Sequence, residues 1–180
     1  CEFIHLTVQE YFAAVHLANM YIEGRFAEVE QNVRKIKFIP HYALVLQMTA
    51  GYLSPEGNKS SLQKFFDHLS GYPKDLAKRY ETILIARCFG DCDDPTLIIP
   101  QYHCFVHEIV ERIKKDISDV FLIEIFNSNI KVLKNKEIIS AISTSCNDQE
   151  NLVAFFSVLK KLISNGQILP DELVNCIIPL

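Results

Sequence analysis

The chain has 180 residues, of which 49% are apolar and 22% charged, and it carries a net charge of −4. This is enough apolar length to bury a proper core, as one large domain or two small ones. The acidic balance argues against a general nucleic-acid or anionic-membrane binder, and no apolar run approaches the ~18 residues of a membrane-spanning helix.

In chain order, Thr7-Val8-Gln9-Glu10 reads as a capping box: the Thr7 hydroxyl accepts from the N3 amide and Glu10 reaches back. Val8, Tyr11, Phe12, Val15, Ala18 and Ile22 then recur at helical spacing, and Gly24 is placed as the C′ stop. A second helix is predicted over 26–38, with Phe26, Val29, Val33 and Ile36 on one face and Pro40 beyond its end. A third, over 41–53, is apolar nearly all round, which predicts a central position. After the loop at Ser54-Pro55-Glu56-Gly57-Asn58, helices are predicted over 61–69 and 75–89. The second of these has Leu76, Tyr80, Ile83, Leu84, Ala86 and Cys88 as its core stripe.

The polar break over 90–100 is followed by an amphipathic helix over 102–113 carrying Phe105, Val106, Ile109, Val110 and Ile113. Apolar segments over 117–126, 130–133, 137–142, 152–163 and 171–178 complete the chain, with Pro170 expected in the first turn of the last. Ile98-Ile99 and Phe121–Ile125 are β-branched or aromatic enough to suit strands, but segment length favours helix. The expectation is an all-α protein: a helical linker domain, then helical hairpins of HEAT-like, α-solenoid type with a period near ~40 residues.

Candidate chemistry is sparse. GxxxxGK[ST], GxSxG, HExxH and the glycine-rich dinucleotide turn are all absent, so no enzyme acting within these residues is expected. One metal pattern can be written: Cys88-x3-Cys92 followed by His103-x3-His107. Zinc sites use such ligand sets, but Cys88 falls on an apolar stripe, and core cysteines with surface histidines are the plainer reading. Asp91-Cys92-Asp93-Asp94 lacks the spacing and closing glutamate of a calcium loop and reads as a solvated turn. Lys131, Lys134 and Lys136 read as a solvated face. Glu10 with His16 or His5 could be written as an acid–base pair, but Glu10 already serves the capping box. The six cysteines are scattered, most within apolar helical patterns, which fits free thiols in a reducing, cytoplasmic compartment. His5, directly before a helix start, is either a locally bonded buried histidine or a donor to phosphate, because helix N-termini favour anions.

Phe3-Ile4-His5-Leu6-Thr7-Val8-Gln9-Glu10-Tyr11-Phe12-Ala13-Ala14 resembles the F-x-H-x-[ST]-F-Q-E-[FY]-x-A-A signature of NACHT-family NTPases, in the STAND class that includes the NOD-like receptors. Val8 stands where that family has Phe. His41–Leu53 looks like the family's hydrophobic helix ending in Gly, and Ile85-Ala86-Arg87-Cys88-Phe89 looks like its Ala-Arg-Cys-Leu stretch. The resemblance implies that residues 1–23 are the tail of a winged-helix domain, 24–95 a helical domain following it, and 96–180 the start of a repeat-type sensor. It also implies a fragment lying after the P-loop and the Mg²⁺ aspartate, with repeats continuing past Leu180. By the same likeness His5 would contact the terminal phosphate of ADP in the parent protein. The fragment would then pack on its own nucleotide-binding domain, switch between ADP-locked and ATP-Mg²⁺ oligomeric states, and receive a trigger, protein or otherwise, through its repeats. Two other readings stay open. One is a freestanding helical-repeat scaffold, which a concave strip of exposed aromatics such as Tyr72, Tyr80 or Tyr102 would favour. The other is a small zinc-binding helical domain.

Overall fold

In the computed structural model, which describes residues 6–55, 58–77 and 79–177, ten α-helices and no strands occur among the described residues. They are α1 Leu6–Ile22, α2 Phe26–Ile36, α3 Ala43–Leu53, α4 Lys59–Leu69, α5 Arg79–Asp91, α6 Ile99–Lys115, α7 Val120–Ser128, α8 Lys136–Ser145, α9 Gln149–Ser164 and α10 Asp171–Ile177. Short 3₁₀ turns occupy Pro40–Tyr42, Pro95–Ile98 and Ile130–Lys134. The all-α class is therefore as expected, and the two stretches that suited strands are helical.

The chain forms two compact units, 1–102 and 103–180, and α6 runs through the division. In the first, α3 lies between α1 and α5, while α2 pairs with α4. The central place of α3 follows from its composition: Ala43, Val45, Leu46, Ala50 and Leu53 are all buried, and Thr49, the buried polar residue among them, donates to Val45 O at 2.7 Å. Around it the aromatic core is tight. Phe66 and Phe89 stack at 4.4 Å, Phe65 meets Phe66 edge-on at 5.3 Å, and Tyr21 meets Phe65 edge-on at 5.7 Å. Such pairs add about 0.5–1.5 kcal/mol each beyond the area they bury.

In the second unit, α7 buries Phe121, Leu122, Ile123, Ile125 and Phe126 and packs on α9, while α10 packs on α8 and on the turn at Ile130–Lys134. Three helix starts carry side-chain caps: Asp119 accepts from Phe121 N, Asn135 from Glu137 N, and Asp148 from Asn151 N. Caps of this kind are worth about 1 kcal/mol each. Arg112 ties α6 to α7, lying 3.1 Å from Glu108, 3.6 Å from Asp119 and 4.4 Å from the centre of the Phe121 ring.

Two helices end alike. After α1, Gly24 N donates to Tyr21 O and Arg25 N to Met20 O; after α9, Gly166 N donates to Ile163 O and Gln167 N to Leu162 O. This pair of bonds is the Schellman closure, and it needs a left-handed residue. Gly24 has φ +76° and Gly166 φ +81°.

Several sequence expectations change. α1 is already helical at Leu6, so Thr7 lies inside the helix and is not its cap. α5 begins at Arg79, not at Asp75, because the Asp75 carboxylate accepts from Ala77 N, Tyr80 N and Glu81 N and holds the chain in a turn. Leu76, placed on that helix's core stripe, is instead 99% exposed. α6 begins three residues earlier than predicted, with Pro100 in its first turn where a missing N–H costs nothing. The segment 130–133 is a 3₁₀ turn, and Pro170 precedes α10, its carbonyl accepting from Leu173 N and Val174 N.

Candidate functional site

The residues of the family-like motif that fall within the described structure lie on α1; His5 lies outside the described residues. α1 carries two apolar stripes. Ala14, Leu17, Ala18, Met20 and Tyr21 are buried, the small alanines allowing close approach to α3, its main neighbour. Val8, Tyr11 and Phe12 form the other stripe and are 44–56% exposed, while Leu6, in line with the buried face at the start of the helix, is 52% exposed. Of the stripe drawn from sequence, Val8, Tyr11, Phe12 and Ile22 are exposed, Val15 is half-buried and Ala18 is buried. Glu10 is half-buried and His16 exposed.

A second constellation joins the ends of α2, α4 and α5. Lys37 is 1% exposed, and its Nζ donates to Leu69 O at 3.0 Å and Gly71 O at 2.6 Å. A cation at the carbonyl end of α4 is favoured by the helix dipole as well as by the two bonds. Burial is the main influence lowering the Lys37 pKa below its usual 10.5; nearby Glu81 opposes it. Glu81 is itself buried, accepts from Asp75 N at 3.1 Å and lies 3.5 Å from Lys74 Nζ. Elsewhere on α4, Tyr21 Oη lies 3.0 Å from His68 Nδ1, and Ser61 Oγ donates to Tyr21 O at 3.2 Å. Burial pushes the Tyr21 hydroxyl far above its usual range and pulls His68 below 6.5. Lys37 thus joins α2 to the carbonyl end of α4, and Tyr21, through His68 and Ser61, joins α1 to α4.

Sequence reasoning missed Lys37, Tyr21, Ser61 and His68. A signal for Lys37 existed: Val29, Val33 and Lys37 lie four residues apart on one face, and the two valines are fully buried.

Cys88 and Cys92 are buried in the first unit, Cys92 Sγ donating to Cys88 O at 3.3 Å. Burial, then the neighbouring Cys92, drives the Cys88 thiol well up. His103 and His107 are exposed in the part of α6 that belongs to the second unit. Among the described residues no group of three or more His, Cys, Asp or Glu side chains is arranged to hold a metal ion. Asp94 accepts from Thr96 N at 2.9 Å, and Asp93 N donates to Ser54 Oγ at 2.6 Å, so the acidic stretch is a hydrogen-bonded turn. Lys131, Lys134 and Lys136 are exposed, and Lys134 lies 3.9 Å from Glu172.

Of the three tyrosines offered as a groove, Tyr72 is 77% exposed, Tyr80 is half-buried and Tyr102 is buried, so no strip of the three exists. Tyr72 instead shares with Leu76 the loop that Asp75 and Glu81 pin. No helix among the described residues is long and apolar enough to cross a membrane. Comparison with protein-family models, with curated proteins and with solved structures finds no match to this chain.

Proposed function

We propose that this chain is the regulatory and sensor helical region of a cytoplasmic NACHT-family STAND ATPase. Residues 1–23 close its winged helix, 24–95 form the helical domain after it, and 96–180 open the helical-repeat sensor. The region controls the exchange between an ADP-locked state and an active oligomer loaded with ATP and Mg²⁺. Its partners are its own nucleotide-binding domain and a trigger received through the repeats. The observation that carries this reading is the open apolar stripe of α1 at Val8, Tyr11 and Phe12, within the stretch that resembles the family signature. Contiguous exposed apolar surface marks an interaction site, and the rest of that winged helix is the partner the reading supplies.

The test is the His5→Ala substitution in the protein that contains this chain together with its nucleotide-binding domain. ADP released from the purified, acid-quenched protein is then quantified. The expected result is loss of most bound ADP and a rise in basal activity. ADP content equal to wild type would sink the assignment of His5.

A second reading, a freestanding protein-interaction scaffold, draws on Tyr72 and Leu76, two large apolar side chains held out in solvent on a carboxylate-pinned loop. A protein whose gene encodes no phosphate-binding loop and which copurifies with no nucleotide decides for it.

A further inference from the structure

In the second unit, α9 carries more apolar surface than its own packing uses. Its core side is complete: Phe155, Val158, Leu159 and Leu162 are buried, and the helix packs on α7. Away from that side, Val153, Phe156 and Ile163 are 50–62% exposed. Their spacing puts them on one stripe, with Lys160 between the last two. Among the described residues of this unit, Val120 and Ile168 are the other exposed large apolar side chains, and neither is on α9.

Two charges flank the stripe. Glu150 stands in the first turn of α9 and Lys161 in the last. They lie about three turns apart at 3.6 residues per turn, so both follow one edge of the stripe. Other helices pair their charges internally, Arg34 with Glu30 in α2 and Lys114 with Glu111 in α6. Neither Glu150 nor Lys161 is ion-paired among the described residues, and the residues three and four positions from each are uncharged. The helix dipole favours acid at the start and base at the end, but it does not account for an apolar stripe left in water between them. We propose that this stripe is the contact face for a second copy of the chain, two α9 helices packing antiparallel about a twofold axis beside Phe156. Such pairing is isologous, so each edge meets its own reversed copy. Glu150 of one copy then faces Lys161 of the other, twice over, Phe156 packs on its counterpart, and the two helix dipoles oppose. The charges choose this orientation, because parallel copies would set Glu150 against Glu150 and Lys161 against Lys161. The 16 residues of α9 make a face about 24 Å long and about 11 Å wide, roughly 260 Å² on each copy, below the ~800 Å² of a standard interface. The dimer therefore belongs to the weak, concentration-dependent class. This inference needs no nucleotide and stands apart from the ATPase reading.

The test is sedimentation equilibrium of the 180-residue chain from about 10 μM to about 1 mM, the range in which weak pairs assemble. The weight-average mass climbs from the 20.6 kDa of the monomer toward twice that value. Phe156→Glu stays monomeric throughout, while its circular dichroism and urea midpoint match wild type. Glu150→Lys and Lys161→Glu alone each weaken dimerisation about tenfold, because each turns two attractions into two repulsions. Combining Glu150→Lys with Lys161→Glu restores dimerisation to within about threefold of wild type. Three outcomes overturn the proposal. The wild-type chain stays monomeric at the highest concentration. Association survives Phe156→Glu unchanged, which places the contact on another surface. The combined variant dimerises no better than either single one, which removes the antiparallel pairing.

Discussion

Replacing Lys37 with Met isolates one ammonium, because Met keeps the apolar stem that lies 1% exposed. The lost group donates to Leu69 O at 3.0 Å and to Gly71 O at 2.6 Å. Hydrogen bonds from a charged donor contribute about 1.5–3 kcal/mol each, and a buried carbonyl stripped of its donor costs about 1–3 kcal/mol. Against this, Met escapes the several kcal/mol of desolvation that a buried ammonium carries. The carbonyls at the end of α4 remain whichever side chain is present, so the balance falls on destabilisation, by about 2–4 kcal/mol. With a urea slope of about 2 kcal/mol/M this lowers the unfolding midpoint by about 1–2 M. The pH dependence gives an independent check. Burial holds the folded Lys37 pKa below 10.5, so between that value and 10.5 the unfolded chain binds more protons. Wild-type stability therefore gains from this residue as pH rises through that window, and Lys37→Met loses the gain. A variant as stable as wild type, within about 0.5 kcal/mol, would refute the view that this ammonium joins the ends of α2 and α4.

His68 has its pKa drawn below 6.5 by burial, so the folded state resists its protonation. Stability is lower below the folded pKa and rises as pH climbs toward 6.5. Urea midpoints measured at about pH 5 and about pH 7.5 should differ less in His68→Phe, which keeps a ring beside Tyr21, than in wild type; an unchanged difference refutes the assignment. Gly24→Ala and Gly166→Ala each cost about 1 kcal/mol, purely from the left-handed backbone, since an added Cβ meets nothing within 4 Å at either site. Urea unfolding checks both, and a neutral substitution means the Schellman closure is not what sets the chain's path there. Phe66→Ala, stripping a fully buried ring stacked on Phe89, costs about 3–5 kcal/mol. Leu76→Ser stays within about 0.5 kcal/mol of wild type; a larger loss would place Leu76 back in a core.

What the sequence disclosed about the fold depended on whether one local force acted alone. α3 is apolar nearly all round, and nothing in it competes with helix, so both its extent and its central place were legible. At 75–78 two forces competed. Leu76 keeps helical spacing with Tyr80, which favours a helix from Asp75, but the Asp75 carboxylate bonds the amides of Tyr80 and Glu81 and starts the helix at Arg79. An aspartate four residues ahead of a helix is a turn former by mechanism, and the periodicity outweighed it only on paper. Lys37 was overlooked for the opposite reason. It continues the buried Val29–Val33 row, and its charge concealed that the row ends in a buried cap.

The candidate site was harder to read because periodicity reports that a helix has an apolar face and says nothing of what covers it. α1 has two such faces. The stripe with the larger side chains, Val8, Tyr11 and Phe12, looked like the core stripe, while the face that packs most closely is the one with Ala14, Leu17, Ala18 and Tyr21. Small residues permit a nearer neighbouring helix, and a nearer helix excludes more water per residue than bulk alone does. The bulky stripe therefore stayed outside. Three large apolar side chains within five residues of helix are costly to leave in water: at about 25 cal/mol per Å² of apolar surface, covering half of each is worth roughly 1 kcal/mol per residue. A chain that folds around the other face and keeps this one open gains that energy only by docking it. This is why the open stripe of α1, and not the buried junction at Lys37, is where the function is sought.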